Sequence, residues 1–234
     1  MVARSRMVKS NRPATAPSHS KRATPARPTR TRGRTIAMVV VIVAVAVGVL
    51  YGVFRTGSAA NNSTSSASGY PHVSGTPGAG APAPDFTLTS GTGQSVNLTD
   101  YHGKSVLLYF QEGLSCQPCW DQIRDLEQNK DALGKAGVDA VVSITTDPSA
   151  LIGRKAADEH LTTPVLSDPD MTVSHRYEAN KYGMMGDMRD GHSFVLVGPD
   201  GKIRWRADYG GAPQYTMYLP TAKMLADLTK ERIQ

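Results

Sequence analysis

Apolar positions along the chain fall into three regimes. Residues 1–35 show no apolar periodicity, residues 36–54 form an uncharged and mostly apolar run, and residues 85–234 switch repeatedly between period two and a period near 3.6. In the last region, residues 85–98 alternate around Gly91 and Gly93, which predicts a small hairpin. Residues 105–110 are a continuous apolar run of the sort carried by a strand buried on both faces. Ile123, Leu126 and Leu133 predict a helix over 119–135, and a second buried strand follows over 138–145. Helical spacing returns at 148–160, then a short strand at 164–166 and a helix at 171–182. Strands at 193–197 and 203–207, joined through Pro199, Asp200 and Gly201, form an antiparallel hairpin. A helix over 221–232 closes the chain. Strand–helix–strand followed by a hairpin and a helix predicts an α/β sandwich.

Charge separates the same regions. Residues 1–35 hold ten Lys or Arg and no Asp or Glu, whereas residues 36–234 hold 16 basic and 20 acidic side chains, a net −4. A tail and a mildly acidic globule do not make a nucleic-acid binder, so no nucleic-acid partner is expected. Residues 1–35 read as a disordered basic arm on the cytoplasmic side. Residues 36–54 are 19 long and uncharged, close to the ~20 apolar residues that span a bilayer. They are expected to form a single transmembrane helix, with the N-terminus cytoplasmic and the rest of the chain outside. A cleaved signal peptide is the rival, because Ser58, Ala59 and Ala60 are small; the long arm and long apolar run favour a retained anchor. Residues 55–84, rich in Ser, Gly and Pro, read as a linker. Residues 85–234 suffice for one domain with its own core.

The only two cysteines are Cys116 and Cys119, placed after the 105–110 strand and before a helix. Free N–H groups and the positive end of a helix dipole favour a thiolate there. The two-residue spacer sets the second sulfur one turn behind the first, where it can close a disulfide and expel a bound partner. Pro118 between them restricts the loop. A structural disulfide would close too short a loop to constrain the unfolded chain much, and a zinc site lacks a second Cys pair.

With these residues in place the chain resembles known families. Phe110 followed by Cys116-Gln-Pro-Cys119 is similar to thioredoxins. The larger frame resembles the alkyl hydroperoxide reductase/thiol-specific antioxidant superfamily of peroxiredoxins and related redoxins. The matching pieces begin at Ala83-Pro-Asp-Phe, Gly103-Lys-Ser-Val, Pro164-Val-Leu-Ser-Asp-Pro and Phe194-Val-Leu-Val-Gly-Pro. The resemblance implies a thioredoxin-like three-layer sandwich with a mixed central sheet. It departs from both families. Cys116 stands where peroxiredoxins carry Thr or Ser, Arg189 is the nearest candidate for their peroxide-activating Arg, and Asp190-Gly-His-Ser193 replaces the thioredoxin cis-proline. In the thioredoxin reading Cys116 attacks and Cys119 resolves; in the peroxidase reading Cys119 is oxidised and Cys116 resolves.

Other residues carry paired readings. His192 either accepts a proton or pairs with a thiolate between pH 5 and 8, or is a loop histidine bonded to backbone. Glu112 is either a buried proton carrier beneath the disulfide or a turn cap. Met184, Met185 and Met188 are soft ligands or packing, and residues 210–218 receive a partner peptide or form an ordinary loop. The function expected is a membrane-tethered, extracytoplasmic thiol-disulfide oxidoreductase acting on protein thiols, disulfides or hydroperoxides without a cofactor. The alternative is a copper(I) chaperone on the same fold, with Cys116, Cys119 and His192 as ligands.

Overall fold

A computed structural model describes residues 32–57 and 69–233, in two units considered separately. The first contains helix α1 (Arg32–Gly57), whose described side chains lie exposed from Ala37 to Val49. Among the described residues no helix is long and apolar enough to cross a membrane. The predicted span of 36–54 runs past those side chains at both ends, and most of the basic arm lies outside the described residues.

The second unit is an α/β domain. A hairpin of β1 (Thr87–Ser90) and β2 (Ser95–Asn97) opens it, with Leu88 opposite Val96. The remaining strands are β3 (Val106–Phe110), β4 (Ala140–Thr145), β5 (Val165–Ser167), β6 (Ser193–Val197) and β7 (Ile203–Asp208). Their order is β2-β1-β5-β4-β3-β6-β7. β4 runs parallel to β3 and to β5, while β6 is antiparallel to β3 and to β7, so the sheet is mixed. Every residue of β3 is buried, as its unbroken apolar run predicts. Side chains alternate across the sheet: Leu107 and Tyr109 enter one cluster with Trp120, Ile123, Trp205 and Leu228, while Leu108 and Phe110 enter another with Phe86, Val173 and Tyr177. Helices α2 (Gln117–Gln128) and α6 (Thr221–Glu231) cover the first face, and α5 (Thr172–Arg176) covers the second. That is the expected thioredoxin-like sandwich.

Three local expectations change. The predicted 119–135 helix is two, α2 and α3 (Lys130–Lys135), because Asn129 turns its side chain onto the Asp125 carbonyl and carboxylate. The predicted 171–182 helix stops after α5, since Glu178 adopts a left-handed φ of 49° and only short 3-10 turns follow. Helix α4 (Ser149–Asp158) appears as expected. The assigned linker is also shorter than its composition suggests. Val73 pairs with Asp208, Gly75 N–H donates to the Asp208 carboxylate at 2.7 Å, His72 Nε2 lies 3.0 Å from Glu231 Oε2, and Pro82 pairs with Lys202. Residues 70–84 are thus a strap packed on the domain.

Candidate active site

β3 delivers the chain into residues 111–115, a loop fixed by its own polar groups. Gly113 has a φ of +94°, and a Cβ there would collide with the Asp147 carboxylate. Asp147, just past β4, accepts the Leu114 N–H at 2.6 Å with Oδ2 and the Arg189 guanidinium at 2.9 Å with Oδ1. The same Arg189 nitrogen reaches the Glu112 carbonyl at 3.1 Å. Trp120 Nε1 donates to the Gly113 carbonyl, and the Cys116 N–H follows onto the same oxygen at 3.0 Å. Cys116 is the N-cap of α2, and Pro118 lies in its first turn, where a missing N–H costs nothing.

The sequence therefore sets both sulfurs at one helix start, and Cys116 and Cys119 form a disulfide with their Cα atoms 5.3 Å apart. Cys116 keeps 6% of its surface and Cys119 none. A third side chain, Met217, buries itself against the pair. Nothing in the pattern of the 210–218 loop singles out that methionine, since its inward turn depends on where an irregular segment folds. Asp147 is likewise invisible in sequence, being 31 residues beyond Cys116 on another strand end.

Glu112 is buried, and its carboxylate accepts the Met184 N–H at 2.6 Å, so it caps the 183–189 segment. Met184, Met185 and Met188 are exposed rather than packed. His192 is enclosed by Tyr109, Phe194 and Tyr209, with Nδ1 3.0 Å from the Tyr109 hydroxyl. Its Nε2 is buried without a well-formed hydrogen bond; the Met217 backbone is the polar group nearby. Burial drives the ring's pKa down to about 3, which favours the reading of His192 as a bonded, uncharged ring over that of a proton acceptor between pH 5 and 8. Burial, with the Glu112 charge behind it, pushes the Tyr109 phenol well up. His192 is thus a neutral structural ring and not an exposed ligand, and among the described residues no three His, Cys, Asp or Glu side chains gather in a way that could hold a metal.

Comparison with known proteins agrees with this architecture. Residues 79–206, more than half of the chain, match the AhpC/TSA family. The chain is 39% identical over 128 residues to peroxiredoxin Bcp of Escherichia coli, covering 53% of this chain and 81% of that protein. It is 32% identical over 98 residues to the thiol-disulfide oxidoreductase ResA of Geobacillus thermodenitrificans, covering 42% of this chain and 56% of that protein. Peroxidoxin BcpB of Mycobacterium tuberculosis shares the fold, with a TM-score of 0.55 at 20% identity over 67% of this chain and 99% of that one. On its strand order, its Cys-bearing helix start and these matches, the chain belongs to the AhpC/TSA family.

Proposed function

We propose that this thiol-dependent enzyme is a membrane-tethered, extracytoplasmic thiol-disulfide oxidoreductase with Cys116 and Cys119 as its working couple. One observation carries the reading: the two sulfurs share the start of α2 with unequal access, Cys116 at 6% exposure and Cys119 at 0%. The Cys116 thiolate, favoured by the free N–H groups of α2, attacks a partner disulfide. A mixed disulfide forms and one partner thiolate leaves. Cys119 then attacks the Cys116 sulfur, closes the internal disulfide and frees the partner's second thiol. Two electrons and two protons pass to the partner. The tether is supported by the uncharged residues 36–54 and the ten basic side chains before them.

The identity to a protein named peroxiredoxin favours a second reading. There a hydroperoxide oxidises Cys119 to a sulfenic acid, an alcohol leaves, and Cys116 condenses with the sulfenic acid, releasing water.

Cysteine variants separate the two. With a protein disulfide as substrate, Cys119→Ser should accumulate a mixed disulfide through Cys116, visible by non-reducing mass spectrometry, and Cys116→Ser should accumulate none. A sulfenic acid trapped at Cys119 of Cys116→Ser after peroxide, with no mixed disulfide in either variant, selects the peroxidase. The full chain should fractionate with membranes and leave them only in detergent; recovery in the soluble fraction would remove the tether.

A further inference from the structure

The loop between β7 and α6 is bolted to the helix that carries the cysteines. The Leu219 N–H donates to Gln122 Oε1 of α2 at 2.9 Å, and the Leu219 side chain is fully buried in the core. At the other end the Thr216 N–H reaches the Tyr209 carbonyl at 3.2 Å. Between these anchors Met217 is buried, 7% exposed, against Cys116 and Cys119, while its neighbour Tyr218 and, just before the first anchor, Tyr215 are exposed. The far side of the loop rests on His192, through whose carbonyl the Tyr209 and Gly210 N–H groups are held.

We propose that Met217 is a specificity-determining cover that biases the Cys116–Cys119 couple towards its disulfide, so that the reduced protein acts as an electron donor. Met217 matters in this way only if the pair cycles as proposed above. The physical reason is a difference in hydration between the two redox states. A disulfide is neutral and weakly solvated, and loses little when a thioether lies on it. A reduced pair reacts as a thiolate, and a thiolate against an apolar cover is short of water. The neutral His192 ring supplies no opposing positive charge. The α2 N-terminus favours the anion, and it acts equally with or without Met217. The same cover hinders small thiols, and a partner must displace it to reach the sulfur of Cys116.

The test is equilibration of the full chain with glutathione buffers. Each turnover oxidises the two thiols to one disulfide, while one oxidised glutathione takes up two electrons and two protons to give two glutathione thiols. Met217→Ala should lower the equilibrium constant for disulfide formation about tenfold, a rise of ~30 mV in potential for this two-electron couple. It should also speed disulfide reduction by dithiothreitol about tenfold. Met217→Leu, apolar and of similar volume, should stay within about twofold of wild type on both counts, and Met217→Gln should shift the same way as Ala without emptying the site. A cycling wild type with unchanged constants in Ala and Gln overturns the cover. An equal shift in Leu also overturns it, because the thioether sulfur and not apolar coverage would then be responsible. A wild-type pair that cannot be cycled fails at the earlier step, the redox reading itself.

Discussion

Asp190 is fully buried beside the site, and its Oδ2 lies 3.0 Å from the Ser174 hydroxyl. That hydroxyl is also 2.6 Å from Asp168 Oδ2, an acceptor already used by the Ser174 N–H. One hydroxyl has one proton, so when Ser174 gives it to Asp168 the Asp190 contact is a hydrogen bond only if Asp190 is protonated. Burial first, then the Asp168 charge, raises the Asp190 carboxyl well above its usual range. The folded state then holds a proton that the unfolded chain releases above about pH 3.9. Stability therefore falls as pH rises from there towards the raised folded value. Asp190→Asn keeps the shape and offers Ser174 an N–H donor without the proton cost. Its urea midpoint should exceed wild type at pH 8, with the gap closing towards pH 4; a gap that does not change with pH contradicts the protonated carboxyl. At this scale the cysteine pair and Pro118 at the helix start are legible in the sequence, because they are neighbours along the chain. Met217, Asp147 and the neutral state of His192 are not, because each is made by contacts across the fold.

Elements follow the hydrophobic pattern where burial is regular. The β3 run and the 193–208 hairpin appear within a residue or two of their predicted bounds, since runs this short, flanked by glycine and proline turns, fit strands rather than helices. The pattern misleads where side-chain chemistry overrides it. Asn129 splits one helix into two, and Glu178 ends another. The strap is the larger departure, because its Pro/Gly composition resembles a flexible linker while its backbone and His72 are tied to the domain. Beneath it Arg206 and Asp208 form a buried ion pair, with Arg206 Nη1 reaching the Pro77 carbonyl and Asp208 accepting the Gly75 N–H. Removing residues 69–84 strips both contacts and the His72–Glu231 pair. Each is a hydrogen bond to a charged group, worth about 1.5–3 kcal/mol, so a chain starting at Asp85 should show a lower denaturation midpoint than one starting at Gly69. Equal denaturation midpoints would show the strap to be only a linker.

Across the whole molecule, charge and apolar surface are sorted along the chain: a basic tail, an uncharged helix-forming run, and a mildly acidic AhpC/TSA-family domain. The domain concentrates its chemistry at one helix start, where two sulfurs, a braced glycine turn and a methionine cover meet. A family frame alone does not choose among oxidant, reductant and peroxidase, because each is a matter of how one site holds its thiolate. The direct measurement is therefore the redox equilibrium of the Cys116–Cys119 pair in glutathione buffers, read by thiol trapping and mass spectrometry. The account predicts a reversible two-electron transition between roughly −120 and −270 mV, towards the reducing end of that range, with both cysteines gained and lost together. A pair that stays oxidised or stays reduced across the whole series would contradict it.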